Sequence, residues 1–108
     1  MSKNMLKSLT NGQLESVARY FVALGEVSRL RILQAINSGE RSVTEVAEIT
    51  KLNQPNVSRH LSILLAAGLI QKRKEGVRAI YFVSDSSLVD IFSVVGKRFG
   101  NRRNHSTH

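Results

Sequence analysis

Cysteine is absent from the 108 residues, and so is tryptophan. Without thiols the chain forms no disulfide, no thiolate metal site and no thiol redox sensor. Proline occurs once, at Pro55, and no Pro/Gly/Ser-rich linker or internal repeat divides the chain. One domain over residues 1–108 is therefore expected, with an ordered core over about 11–100 and a flexible polar tail, "NRRNHSTH", over 101–108. Long hydrophobic runs are missing too. The longest, Ile63 to Ile70, falls far short of the ~20 residues of a membrane span. The N-terminal "MSKNMLKSLTNGQ" lacks the apolar stretch of a signal peptide. A cytoplasmic protein with no membrane partner is the expectation.

Acidic residues are scarce: eight against sixteen Lys and Arg, a formal charge of +8. Such a balance points to a polyanion. The excess is local. Residues 1–50 carry six basic and five acidic side chains, and residues 51–108 carry ten and three. Chemistry-bearing patterns are absent: no paired carboxylates, no nucleophile with a base, no Gly-rich phosphate loop. Ser58 and His60, two residues apart on a helix, diverge. No enzyme and no cofactor are expected.

Hydrophobic spacing marks the elements. Leu14, Val17, Ala18 and Phe21 share one face of a first helix that Asn11 could cap. "VSRLRILQAI" reads as a second helix from about Ser28, ending near Gly39. "SVTE", Ser42 to Glu45, is a capping box opening a short third helix to about Thr50. After the turn "KLN", Asn53 is an N-cap and Pro55 sits in the first turn of a fourth helix, 53–67, which Gly68 ends. Two β-prone segments over 70–83 flank Glu75-Gly76, a hairpin tip. A last helix carries Leu88, Ile91, Phe92, Val95 and Phe99 on one stripe. The order α-α-α-α-β-β-α, mainly helical with one small hairpin, is a winged helix-turn-helix.

The fourth helix is the one that would read DNA. Val57, Leu61, Leu64 and Leu65 cluster on one side; Asn56, Arg59 and Ser62 lie opposite, with Ser58 and His60 flanking. In this arrangement the N-terminal residues of the second helix meet base edges in the major groove. Gln54, Asn56, Ser58, Arg59 and His60 are the candidates. Arg matches guanine bidentately, Gln or Asn matches adenine, and Ser suits phosphate. His60 has the alternative of local packing, and Ile63 could pack on the wing or touch a thymine methyl. Lys72, Arg73, Lys74 and Arg78 surround the hairpin and suit phosphate or the minor groove, although basic residues also protect edge strands.

The segments "LGEVSRLRIL", "SVTEVAEITKLNQPNVSRHLSILLAAGLI" and "RKEGVRAIYFV", in this order, resemble the ArsR/SmtB family of bacterial winged-helix repressors from about Leu14 to Phe99. Glu26-Val27-Ser28 departs from the family's Asp-Pro-Thr, which should cost a favoured helix start. The resemblance implies a homodimer on a palindromic double-stranded operator, with repression released by a signal. Its interface would pair the first and last helices through Leu14, Val17, Phe21, Leu88, Ile91, Phe92, Val95 and Phe99. Two apolar stripes that need covering support such pairing, though each could instead pack on its own subunit.

The family's usual metal ligands are missing. Ser42 and Thr44 stand in place of a C-x-C pair. In the last helix the D-x-H-x10-H-x2-E/H pattern becomes Asp90, Phe92, Arg103, Ser106, or in a second register Asp85, Ser87, Arg98, Asn101. Only the aspartate survives, so no metal site is expected, and Asp85 is free to cap the helix. The residues name no effector. Two alternatives stand beside the DNA-binding repressor: a winged-helix module binding an acidic protein partner, and a metal-responsive repressor using His105 and His108.

Overall fold

A computed structural model describes the backbone of residues 7–106 and the side chains of 7–100. His105 and His108 lie outside the described side chains. Within those bounds the chain forms α1 (Asn11–Leu24), α2 (Val27–Asn37), α3 (Val43–Thr50), α4 (Gln54–Ala66), β1 (Gln71–Glu75), β2 (Arg78–Phe82) and α5 (Ser86–Ser106). The order is the expected one, and α5 continues into the stretch read as tail.

Local chemistry explains most boundaries. Thr10, not Asn11, caps α1: its hydroxyl accepts from Gln13 N at 3.1 Å while Gln13 Oε1 accepts from Thr10 N at 2.8 Å. Ser42 and Glu45 close the capping box of α3. Asn53 Oδ1 accepts from Asn56 N at 2.9 Å to start α4. Gly68, at φ 78°, follows that helix in the left-handed region open to glycine. Asp85 Oδ1 accepts from Ser87 N at 2.9 Å at the head of α5.

The start of α2 and the hairpin turn also differ from expectation. Glu26 caps α2, accepting from Arg29 N at 2.9 Å, so the helix begins at Val27 without the Asp-Pro-Thr start. The longer carboxylate does the work of the aspartate. The hairpin turns at Gly76-Val77, one residue later than Glu75-Gly76, because Glu75 pairs with Arg78 as the last rung. Gly76 has φ 63°, and a glycine at positive φ in the first place of a two-residue loop is the II′ pattern.

α2, α3 and α4 meet around Ile32, Leu33, Val46, Val57, Leu61 and Leu64, all fully buried, with Leu69 and Leu88 closing the core. Truncating such a side chain to alanine costs about 2–5 kcal/mol. Arg41 bridges to the outer edge of β2, its N donating to Tyr81 O at 3.1 Å and its O accepting from Tyr81 N at 2.8 Å. Its guanidinium also donates to Ala35 O at 3.1 Å, capping the end of α2. The wing is thereby fixed to the helical body.

α1 is different. It buries only Ala23 and Leu24, leaving Leu14, Val17, Phe21 and Val22 exposed. The radius of gyration is 15.8 Å, against about 13 Å for a compact chain of this length.

Candidate nucleic-acid interface

α3 and α4 are joined by Lys51, Leu52 and Asn53. Lys51, at φ 66°, is the single non-glycine residue with positive φ among the described residues. This left-handed step swings α4 across α3 and sends its first turns outward. Gln54, Ser58 and Arg59 are exposed on the outer face, and Asn56 is half-buried at its edge. Asn56 Oδ1 accepts from Arg59 Nη2 at 2.9 Å, so these two candidates form one unit.

His60 does not join them. It is 7 % exposed, on the inner side of α4, with Nδ1 3.3 Å from Arg29 Nη1. Burial pushes the imidazole below its ordinary pKa, Glu26 opposes that, and Arg59 and Arg29 add to it. The residue packs locally rather than facing out, which settles the two options left open by its flanking place. Ile63 is likewise half-buried against the core.

The wing holds its four cations unequally. Arg73 Nη2 lies 2.7 Å from both Glu40 Oε1 and Glu75 Oε2, and its guanidinium sits 5.5 Å from the Phe82 ring centre. The two carboxylates push its pKa further up, so it stays charged but occupied. Arg78 Nη2 lies 3.4 Å from Glu45 Oε1. The Glu45 carboxyl is held below its usual range, first by the Ser42 backbone N–H and then by Arg78 and other neighbours. Lys72 and Lys74 alternate with Arg73 along β1 and are exposed. Cross-strand partners share a face in an antiparallel ladder. The two lysines therefore lie on the Ala79 and Tyr81 face, opposite the arginines and their carboxylates.

No group of three or more His, Asp or Glu that could hold a metal occurs among the described residues. Ser42, in the place of a family cysteine, is 6 % exposed and already caps α3. Among the described residues no helix is long and apolar enough to cross a membrane.

Residues 26–72 match the family described as bacterial regulatory protein, arsR family. Along 92 % of its length, an uncharacterized HTH-type transcriptional regulator of Methanocaldococcus jannaschii is 35 % identical to 75 % of this chain. The chain belongs to the arsR family. A probable mercury resistance operon repressor of Streptomyces lividans is 39 % identical over 71 % of the chain, which spans 62 % of that repressor's length. A homodimeric winged helix-turn-helix DNA-binding domain from Mycobacterium bovis, described as a possible ArsR-family regulator, superposes with a TM-score of 0.79 at 30 % identity, over 94 % of this chain and 96 % of that one. In that fold α4 holds the place of the second helix of the helix-turn-helix and the hairpin holds the place of the wing. The chain thus carries the winged helix-turn-helix that the arsR family and the Mycobacterium bovis DNA-binding domain share.

The apolar residues assigned to an interface divide into two sets. Leu14, Val17, Phe21, Phe92, Val95 and Phe99 are 37–53 % exposed. Leu88 is 1 % exposed and belongs to the core of its own subunit, and Ile91 is half-buried. Leu88 opens the stripe where α5 still lies on the body, so helical spacing alone does not separate it from the residues beyond. Val22, Val89 and Val94, all exposed, extend the apolar surface and were not singled out by spacing. A groove of about 450 Å³ between α2 and α5, lined by Leu30, Leu33, Val83, Val89 and Phe92, continues it.

Proposed function

We propose that this chain is a homodimeric, sequence-specific repressor that acts in the cytoplasm on a palindromic operator. α4 would enter the major groove with Gln54, Asn56, Ser58 and Arg59, while Lys72 and Lys74 of the wing would meet phosphates. The observation that carries this reading is the exposed polar face of α4, followed in the chain by a basic hairpin that Arg41 fixes to the same helical body.

Dimerisation rests on a separate observation. The faces of α1 and α5 hold Leu14, Val17, Phe21, Val95 and Phe99, each 39–53 % exposed, and exposed apolar faces of this kind mark interaction sites. A two-fold axis there would set two copies of α4 about 34 Å apart, one turn of DNA. Repression rather than activation follows the relatives, one of which is described as a probable operon repressor.

Selection from random oligonucleotides, followed by shift assays with excess competitor, tests the proposal. A palindromic site bound at least about 1,000-fold more tightly than scrambled DNA is the expected outcome. Equal affinity for all sequences would overturn specific reading. Enrichment of single half-sites would overturn the dimer.

A further inference from the structure

Arg29 is the most heavily engaged side chain of the helical body. Its Nε donates to Ala23 O at 2.7 Å and its Nη2 to Val22 O at 3.3 Å. Those carbonyls belong to the last turn of α1, where a helix runs short of intrahelical donors; Val22 O also accepts from Gly25 N at 3.1 Å. Its own N–H is held by the Glu26 carboxylate. The remaining arm, Nη1, lies 3.3 Å from His60 Nδ1, on the inner side of α4. One guanidinium thus ties the end of α1, the start of α2 and the middle of the recognition helix.

The chemistry of the contact is one-way. A guanidinium only donates, so Nδ1 must supply the lone pair and the ring proton sits on Nε2. That requires a neutral imidazole. A protonated ring has no acceptor and sets a second cation against Arg29. Outward on the same helix are the base-reading candidates, with Arg59 adjacent in sequence to His60. A tilt of α4 at His60 is therefore a displacement of the reading face.

We propose that Arg29 and His60 are positioning residues for DNA reading: the neutral imidazole lets Arg29 hold α4 against the end of α1, and protonation of that ring releases the helix and erodes discrimination of the operator. The proposal rests on the DNA-binding role already given. The charged groups acting on the imidazole are Glu26 at the cap of α2, Arg29 on α2 and Arg59 on α4; no charged group of α1, α3 or the hairpin contributes among the described residues. Burial leads in holding the ring below its ordinary pKa of 6.5. The folded state therefore favours the neutral ring, and the contact is fully present above that value. It is lost only further down, as the pH falls through the lowered value of the folded state.

The experiment is a pH series, from about 8 to 5.5, of affinity for a selected operator and for scrambled DNA. Circular dichroism at each pH reports the fold. In the wild type, operator affinity falls about tenfold or more toward acid while scrambled-DNA affinity holds or rises, as basic proteins on a polyanion do. His60→Asn keeps an acceptor near the place of Nδ1 and cannot titrate. It should stay within about threefold of wild type at pH 8 and lose the acid decline. Arg29→Lys, without the fork, should lose about tenfold on operator and little on scrambled DNA. A flat or rising operator affinity in the wild type overturns the proposal. So does an acid decline that persists in His60→Asn, which would belong to His105 or His108, or one that tracks loss of the fold. Failure to discriminate operator from scrambled DNA at pH 8 would instead sink the DNA-reading role itself.

Discussion

Asn56 and Arg59 are hydrogen-bonded to each other, Oδ1 to Nη2, at 2.9 Å on the outer face of α4. Two side chains suited to different bases are thus held as one unit before DNA arrives. The amide fixes the direction of the guanidinium, which lowers the entropy lost when the guanidinium meets a base edge.

Because they act together, their substitutions should not add. Asn56→Ala and Arg59→Ala should each weaken operator binding by about 1–3 kcal/mol with little change on scrambled DNA. The double variant should lose at least ~0.5 kcal/mol less than the sum, measured in a double-mutant cycle. Equal losses on operator and scrambled DNA would show that both touch phosphate alone.

The wing predicts an unequal response to salt. Lys72→Ala and Lys74→Ala should each lower the slope of log affinity against log salt by about 1. Arg73→Ala should lower it less, because Glu40 and Glu75 already neutralise that guanidinium. Glu40→Gln should raise affinity for any DNA sequence. A slope that drops most in Arg73→Ala would mean that the carboxylates yield to phosphate.

Dimerisation is tested on residues that their own subunit does not bury. Phe21 is 53 % and Val95 48 % exposed, so Phe21→Asp and Val95→Glu should leave the fold intact. Sedimentation should show folded monomers with operator affinity reduced at least about 100-fold, since each half-site would bind alone. A folded dimer from both variants would move the interface away from these faces.

Release from DNA should not depend on metal. Zn²⁺ needs about four N, S or O ligands in tetrahedral array. Here the chain has no cysteine, the Ser42 hydroxyl is engaged at the head of α3, and the α5 pattern retains one aspartate. Operator affinity should agree within about twofold with and without stoichiometric Zn²⁺, Ni²⁺ or Co²⁺, both in the full chain and in a chain ending at Arg103, well below the tenfold that a ~1.4 kcal/mol coupling gives. A stoichiometric metal in calorimetry that weakens operator binding tenfold would refute this. Loss of that effect on trimming would assign it to His105 and His108.

What could be read from the sequence was what is decided locally. The Ser42–Glu45 box, the Asn53 cap with Pro55 behind it and Gly68 after α4 lie where their spacing puts them, since each is settled within four residues. Residue type alone does not pick the cap of α1, since Asn11 beside Thr10 is an equally good cap; Gln13, three residues after Thr10, decides between them. What escaped was non-local. Nothing near Arg73 in sequence announces Glu40, and nothing near Arg41 announces Tyr81. His60 flanks the apolar stripe on a helical wheel. It falls inward because Val57, Leu61 and Leu64 are fully buried while Leu65, on the far flank, is only half-buried.

The left-handed Lys51 has an evolutionary consequence. A lysine backbone at φ 66° is tolerated at a cost of about 1 kcal/mol or more, and a β-branched residue there would fare worse. The position is a filter on drift: substitutions to asparagine or glycine pass, and valine or isoleucine are removed, whatever DNA the descendants read. Lysine and asparagine codons differ at one base, so asparagine is the replacement that descendants of this chain should meet first. The constraint at this exposed position is one of backbone handedness, not of core packing.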